Sequence, residues 1–188
     1  MPWYFILLLL FALLRITELR LSRRHQVKLL AEGGRKMTEP TYPLMVGVHA
    51  GLLLGSAVEV WWLERPFVAP LGWTMLVLLV SCLSGRLWVW RSLGQQWNTQ
   101  VMTSTRAIID SGPYRYVRHP NYTIVIVEMC ALPLVHSAYL TALLCSTLNA
   151  LVLQQRLHIE EAALLTRPEY RRKMAGKPRF LPALRQGR

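Results

Sequence analysis

Asp110-Ser111-Gly112-Pro113-Tyr114-Arg115-Tyr116-Val117-Arg118-His119-Pro120-Asn121-Tyr122 is the most polar and aromatic stretch of an otherwise apolar chain. Gly112-Pro113 breaks regular structure, and His119-Pro120 breaks it again at the head of a new apolar run. Between the breaks lie Tyr114, Arg115, Tyr116 and Arg118, four long side chains able to stack or to bind anions. Such a stretch reads as a ligand-binding connector held between membrane helices.

Working outward, the downstream sequence gives two short apolar runs, residues 122–135 and 139–153, separated by Pro133 and His136-Ser137. Each falls short of the roughly 20 residues of a comfortable bilayer span. Together they predict a helical hairpin, tilted or incompletely spanning, with Glu128 in the first arm and Asn149 in the second. The second arm continues as a helix through Arg156 to Glu161. Asn149, Arg156 and Glu160, spaced seven and four, then share one face. A basic tail, residues 167–188, closes the chain.

Upstream, residues 94–118 are too polar to span. Three longer runs precede them: residues 3–21, 42–63 and 68–90. The first has no basic n-region and no small-residue cleavage site, so it reads as a retained helix rather than a signal peptide. Arg15 and Glu18 are placed to pair within it. Residues 22–41 are polar and basic, with Gly33-Gly34 as a break and 26–32 as a short interfacial helix. Gly47, Gly51 and Gly55 share a face that lets another helix approach, within the bundle or between chains. Glu59 is placed at an interface near Arg65. Arg86 needs a carboxylate partner or must snorkel. Trp88, Trp90 and Trp97 read as an interfacial aromatic belt, and Cys82, Cys130 and Cys145 as small buried residues.

The fold class is therefore all-α, an integral membrane protein with about five transmembrane helices. Residues 1–93 supply three of them. Residues 94–188 hold the connector, the hairpin and the tail. The composition agrees: 53% hydrophobic, 17% charged and a mean hydropathy of +0.26. A net charge of +12 would suit a nucleic-acid binder, but the basic residues sit between apolar runs. With five crossings they gather on one side, leaving Arg65 on the other. That puts the N-terminus outside, and the C-terminus and the connector in the cytoplasm.

No HxxxH or HExxH spacing and no CxxC pair is present, so no metal is expected. GxGxxG and GxxxxGK[ST] are absent too. A non-catalytic membrane transporter or lipid-binding protein remains an alternative, with Glu59, Arg86 and Glu128 at membrane depth as the basis for proton or ion transport. Tyr114 and Tyr116 have a plainer reading as interfacial anchors, Arg115 and Arg118 as headgroup contacts, and Arg156–Glu160 as an i,i+4 pair.

Gly112-Pro113-Tyr114 with Arg118-His119-Pro120-Asn121-Tyr122, followed by Arg156-x-x-x-Glu160-Glu161-x-x-Leu164, resembles the isoprenylcysteine carboxyl methyltransferase family. The likeness covers roughly residues 94–182 and includes Pro168-Glu169-Tyr170 and Arg179-Phe180-Leu181-Pro182. It implies a membrane enzyme that transfers a methyl group from S-adenosyl-L-methionine to an oxygen of a lipophilic or prenylated substrate. By this resemblance the cofactor contacts Arg106, Ala107, Ile108, Ile109, Tyr114, His119, Pro120, Asn121, Tyr122 and Glu160, and Arg156 is the catalytic residue facing the substrate. Arg106 stands where some relatives carry histidine. A carboxylate acceptor needs no base. A hydroxyl acceptor needs one, with Glu161, His158 and Glu128 as candidates. Arg15-x-x-Glu18-Leu19-Arg20, Arg23-Arg24, Gly33-Gly34, Tyr42-Pro43 and His49 are similar to bacterial members associated with type III polyketide synthases, implying an alkylpyrone or phenolic lipid as a further acceptor class.

Overall fold

The computed structural model describes residues 2–182. The end of the basic tail, residues 183–188, lies outside the described residues. Five long helices dominate: α1 (Pro2–Ala31), α2 (Tyr42–Trp62), α3 (Ala69–Leu93), α4 (Pro120–Leu134) and α5 (Tyr139–Leu165), with a short α6 (Pro168–Met174) after them. Pro43, Pro70, Pro120 and Pro168 stand in the first turns of α2, α3, α4 and α6. A missing N–H costs nothing there, because that donor has no intrahelical acceptor. A two-residue antiparallel clip joins β1 (Arg35–Lys36) to β2 (Met102–Thr103) and is an addition to the all-helical expectation.

The separate interfacial helix expected at 26–32 does not form. α1 runs unbroken to Ala31 because nothing before Gly33 interrupts its backbone bonding. It ends where Gly33 turns to a φ of +84°, and the N–H groups of Gly33 and Gly34 donate back to the carbonyls of Leu30 and Leu29. A side chain at Gly34 would meet the carbonyl oxygens of Leu29 and Thr103 at 2.7 Å.

The long helices alternate in direction. Tyr4 near the start of α1 donates to the Leu132 carbonyl at the end of α4 (3.1 Å). Glu59 near the end of α2 accepts from the backbone of Leu140 and Thr141 and from the Thr141 hydroxyl (3.1, 2.7 and 2.8 Å). It thus caps α5 from another helix, where α5 has no side-chain cap of its own. Arg65 completes its partners (3.0 Å). At the opposite end of the bundle, Ser22 of α1 accepts the Thr99 N–H (3.0 Å). α4 lies between α3 and α5, and α2 packs on α5, around a core that includes Tyr4, Phe11, Leu52, Leu79, Met129 and Leu132.

The outer faces stay apolar. Leu10 and Leu13, Leu54 and Val58, Val77 and Val80, and Leu143 and Leu151 are all exposed. The helices at Tyr42–Trp62 and Ala69–Gln96 are long and apolar enough to cross a membrane, and α4 is a shorter apolar helix.

Within the chain Gly55 meets a neighbouring helix at Thr141, while Gly47 and Gly51 meet no other side chain. Two expectations need correcting. Cys130 is exposed, while Cys82 and Cys145 are buried. Trp97 is 3% exposed and packs edge-on against Trp90 (5.2 Å). The connector turns inward at Gly94–Gln96 and carries that indole into the protein, so the aromatic belt loses it.

Candidate functional site

Gly112 sets the connector. Its φ is +59°, and a side chain there would strike the Ser92 hydroxyl at 2.1 Å. Only glycine accepts both conditions. The turn Gly112–Arg115 that follows directs Tyr114 inward, whereas Arg115 and Tyr116 stay exposed. The tail straps the next step in place. Arg118 and His119 donate their N–H groups to the carbonyls of Pro178 and Arg179 (both 2.9 Å), and the Thr123 hydroxyl donates to the Phe180 carbonyl (3.0 Å).

Behind this strap lies a cavity of about 370 Å³, reached by side chains of α1 to α5 and the connector. Of the residues that the resemblance assigns to the cofactor or to catalysis, Tyr114, Asn121, Tyr122, Arg156 and Glu160 line it. The Tyr122 hydroxyl donates to the Glu160 carboxylate and accepts from Arg156 Nε (2.9 Å). Arg156 and Glu160 are therefore bridged by a phenol rather than paired directly. The guanidinium also lies 5.7 Å from the Tyr122 ring centre and 3.3 Å from Glu39.

His119 and Pro120 are buried but do not line the cavity. The imidazole stacks on Tyr122 (5.2 Å, 8° between planes), and its Nε2 donates to Glu161 (3.1 Å). Arg106, Ala107, Ile108 and Ile109 also stand outside the lining. Arg106 is held at the surface by Glu32 (2.6 Å). The Ala107 carbonyl accepts from Gln96 (3.2 Å). Ile108 is buried with Tyr170 and Met174, and Tyr114 packs on that cluster, so this segment meets the cavity through the Tyr114 ring. Burial, reinforced by the charge of Glu160, pushes the Tyr114 phenol well above its ordinary value.

Glu161 is the hub beside the site. It receives Arg118 (3.0 Å), Arg179 (2.7 Å) and His119, so Arg118 is not a headgroup contact. Burial raises this carboxyl, but the hydrogen bonds from Arg179 and His119 and the charge of Arg118 outweigh it, leaving it below the ordinary carboxylate value. A carboxyl depressed by folding stabilises the fold above its unfolded pKa, and that contribution disappears as pH falls through the lower folded value. Thermal melting from pH 7 down through the ordinary carboxylate range should therefore show a steeper loss of Tm below about pH 4.5 for wild type than for Glu161→Gln. Parallel curves would mean that the hub contributes no such stability.

The deep part of the cavity holds charges carried by the bundle helices. Arg86, 2% exposed, donates to Glu18 (2.7 Å) and to Glu128. Arg15 donates to Glu18 and Glu128 (both 2.5 Å). Two cations and two anions from α1, α3 and α4 thus close into a neutral quartet, and Glu59 has Arg65. The charges that suggested ion transport compensate one another. Sequence reasoning missed Glu39, which also accepts the Val101 N–H. The one available signal was a carboxylate just ahead of an apolar helix in an otherwise basic segment. Among the described residues, no three His, Cys, Asp or Glu side chains converge as a metal site requires.

Residues 74–166 match the model of the Isoprenylcysteine carboxyl methyltransferase (ICMT) family. The chain is 31% identical over 163 residues to a Bacillus subtilis (strain 168) protein described as "Uncharacterized protein YpbQ", covering 86% of this chain and 96% of that one. It is 26% identical over 155 residues to an "Uncharacterized protein" of Haemophilus influenzae, covering 80% of this chain and 88% of that one.

Proposed function

Because the chain belongs to the isoprenylcysteine carboxyl methyltransferase family, a family of membrane methyltransferases, we propose that it is a multi-pass membrane enzyme transferring a methyl group from S-adenosyl-L-methionine to an oxygen of a lipophilic acceptor. The observation that carries this reading is the meeting of Tyr114, Tyr122, Arg156 and Glu160 around one cavity. The volume, about 370 Å³, lies in the range of small-molecule sites. Anionic Glu160 with two aromatic rings suits a cationic, amino-acid-bearing cofactor. The belt of exposed aliphatic side chains and the alternating helices support about five crossings, and the basic segments between and after the apolar runs favour a cytoplasmic C-terminus.

When bound, S-adenosyl-L-methionine supplies an electrophilic methyl group on a sulfonium centre. Glu160, held by Tyr122, faces the cofactor's ammonium. Tyr114 keeps its proton and stays neutral, so it does not compete as a phenolate nucleophile. Ile108 backs the Tyr114 ring, His119 fixes Tyr122 by stacking, and Pro120 and Asn121 set the first turn of α4 beside them. Arg156 orients the acceptor oxygen. The bases considered for a hydroxyl acceptor stand off the cavity lining: Glu161 in its arginine hub, Glu128 in the quartet, and His158 exposed on the surface. An acceptor already ionised at pH 7, such as a carboxylate, needs none of them, because no proton has to leave.

Isothermal titration of S-adenosylhomocysteine into detergent-purified protein tests the cofactor assignment. Glu160→Ala should weaken binding by about tenfold or more, since a charged hydrogen-bond partner is lost in a partly dry site. His119→Ala should weaken it less, acting through Tyr122. Unchanged affinity in Glu160→Ala would remove that residue from the cofactor site.

A further inference from the structure

α5 carries a second polar group into the cavity, deeper than Arg156. Asn149 lies seven residues before Arg156 on the same helix, about 10 Å further into the bundle. It is 4% exposed and lines the cavity, so its carboxamide opens on that space and takes a partner from whatever occupies it. Across the cavity on α2 stands His49, also lining it. Its Nδ1 lies 2.8 Å from the Met45 carbonyl, so Nδ1 carries the proton and Nε2 is left as an acceptor. Met45 in turn touches Arg156 (3.1 Å), which puts His49 one turn below the arginine.

We propose that Asn149, assisted by His49, is a specificity residue that binds a second oxygen-bearing group of the acceptor lipid, about two helical turns from the oxygen held by Arg156. The proposal rests on the methyltransferase reading for the role of Arg156. It adds a substrate class: a lipid with a hydroxyl or carbonyl well along its length, rather than one polar only at its end. The carboxamide donates to or accepts from that group, and an analogue lacking it leaves the amide unpaired.

The test uses stearic acid and 10-hydroxystearic acid as probes, bound to the full chain in lipid nanodiscs and read by competition with a fluorescent fatty acid. Wild type should favour the hydroxylated probe by about tenfold, the usual size of one well-made buried hydrogen bond. Asn149→Leu should abolish the preference while S-adenosylhomocysteine affinity stays unchanged. Asn149→Ala, which does not fill the cavity, should do the same. Equal binding of the two probes by wild type, or a preference that survives both substitutions, would overturn the proposal. Failure of S-adenosylhomocysteine to bind wild type would instead strike the methyltransferase reading and leave the probe preference to be judged by itself.

Discussion

Arg156→Ala is expected to reduce methyl transfer at least about a hundredfold while S-adenosylhomocysteine affinity stays within about threefold, the pattern of an interaction made with the acceptor rather than with the cofactor. The guanidinium lines the cavity and already has Tyr122 on its Nε and Glu39 beside Nη1. Two partners fix its plane, so an acceptor oxygen meets an oriented donor without reorganisation. Glu39 does not become an orphan when the arginine goes, because it keeps the Val101 N–H. Arg156→Lys keeps the charge but not the planar fork, and should recover only part of the rate. Isotopic methyl incorporation into the lipid fraction of membranes, with the S-adenosylhomocysteine titration alongside, separates the cases. Equal losses of rate and cofactor affinity would make Arg156 a support for the Tyr122–Glu160 bond instead.

The largest stability effect is expected at the quartet. Glu128→Leu should cost about 3–5 kcal/mol, because it strands Arg86, which is nearly inaccessible, beside only one carboxylate. Removing Arg86 and Glu128 together leaves Arg15 with Glu18 (2.5 Å), a neutral remainder. The double variant Arg86→Met, Glu128→Leu should therefore melt well above Glu128→Leu alone. Melting of the three proteins in nanodiscs decides it. A double variant no better than the single would show that packing volume, not charge balance, sets the cost.

Much of this site was legible because helix periodicity turns sequence spacing into geometry. The face shared by Asn149, Arg156 and Glu160 needed only a period of 3.6, and all three line the cavity. The Arg15–Glu18 pair was legible for the same reason. The need of Arg86 for a carboxylate followed from the cost of a bare charge in lipid, but its partners sit 42 and 68 residues away, and nothing local names them. Glu39 was invisible because its partner lies on α5, more than a hundred residues later. The fate of residues 106–109 depended on how a connector with little regular structure folds back, which no periodicity encodes. Trp97 and Cys130 failed for the complementary reason: apolar composition does not say which side of a helix or loop faces inward.

The order in which the quartet is assembled bears on biogenesis. Glu18, Arg15 and Arg86 are made first, and Glu128 follows 42 residues after Arg86. Until α4 leaves the ribosome, the quartet consists of two arginines against one glutamate. Such a nascent intermediate has an excess positive charge that lipid disfavours. Retention at the insertion machinery until Glu128 arrives is the expected outcome. Chains truncated before α4 should be poor at leaving that machinery and ready substrates for quality-control proteases, although each of their apolar segments is sufficient by length.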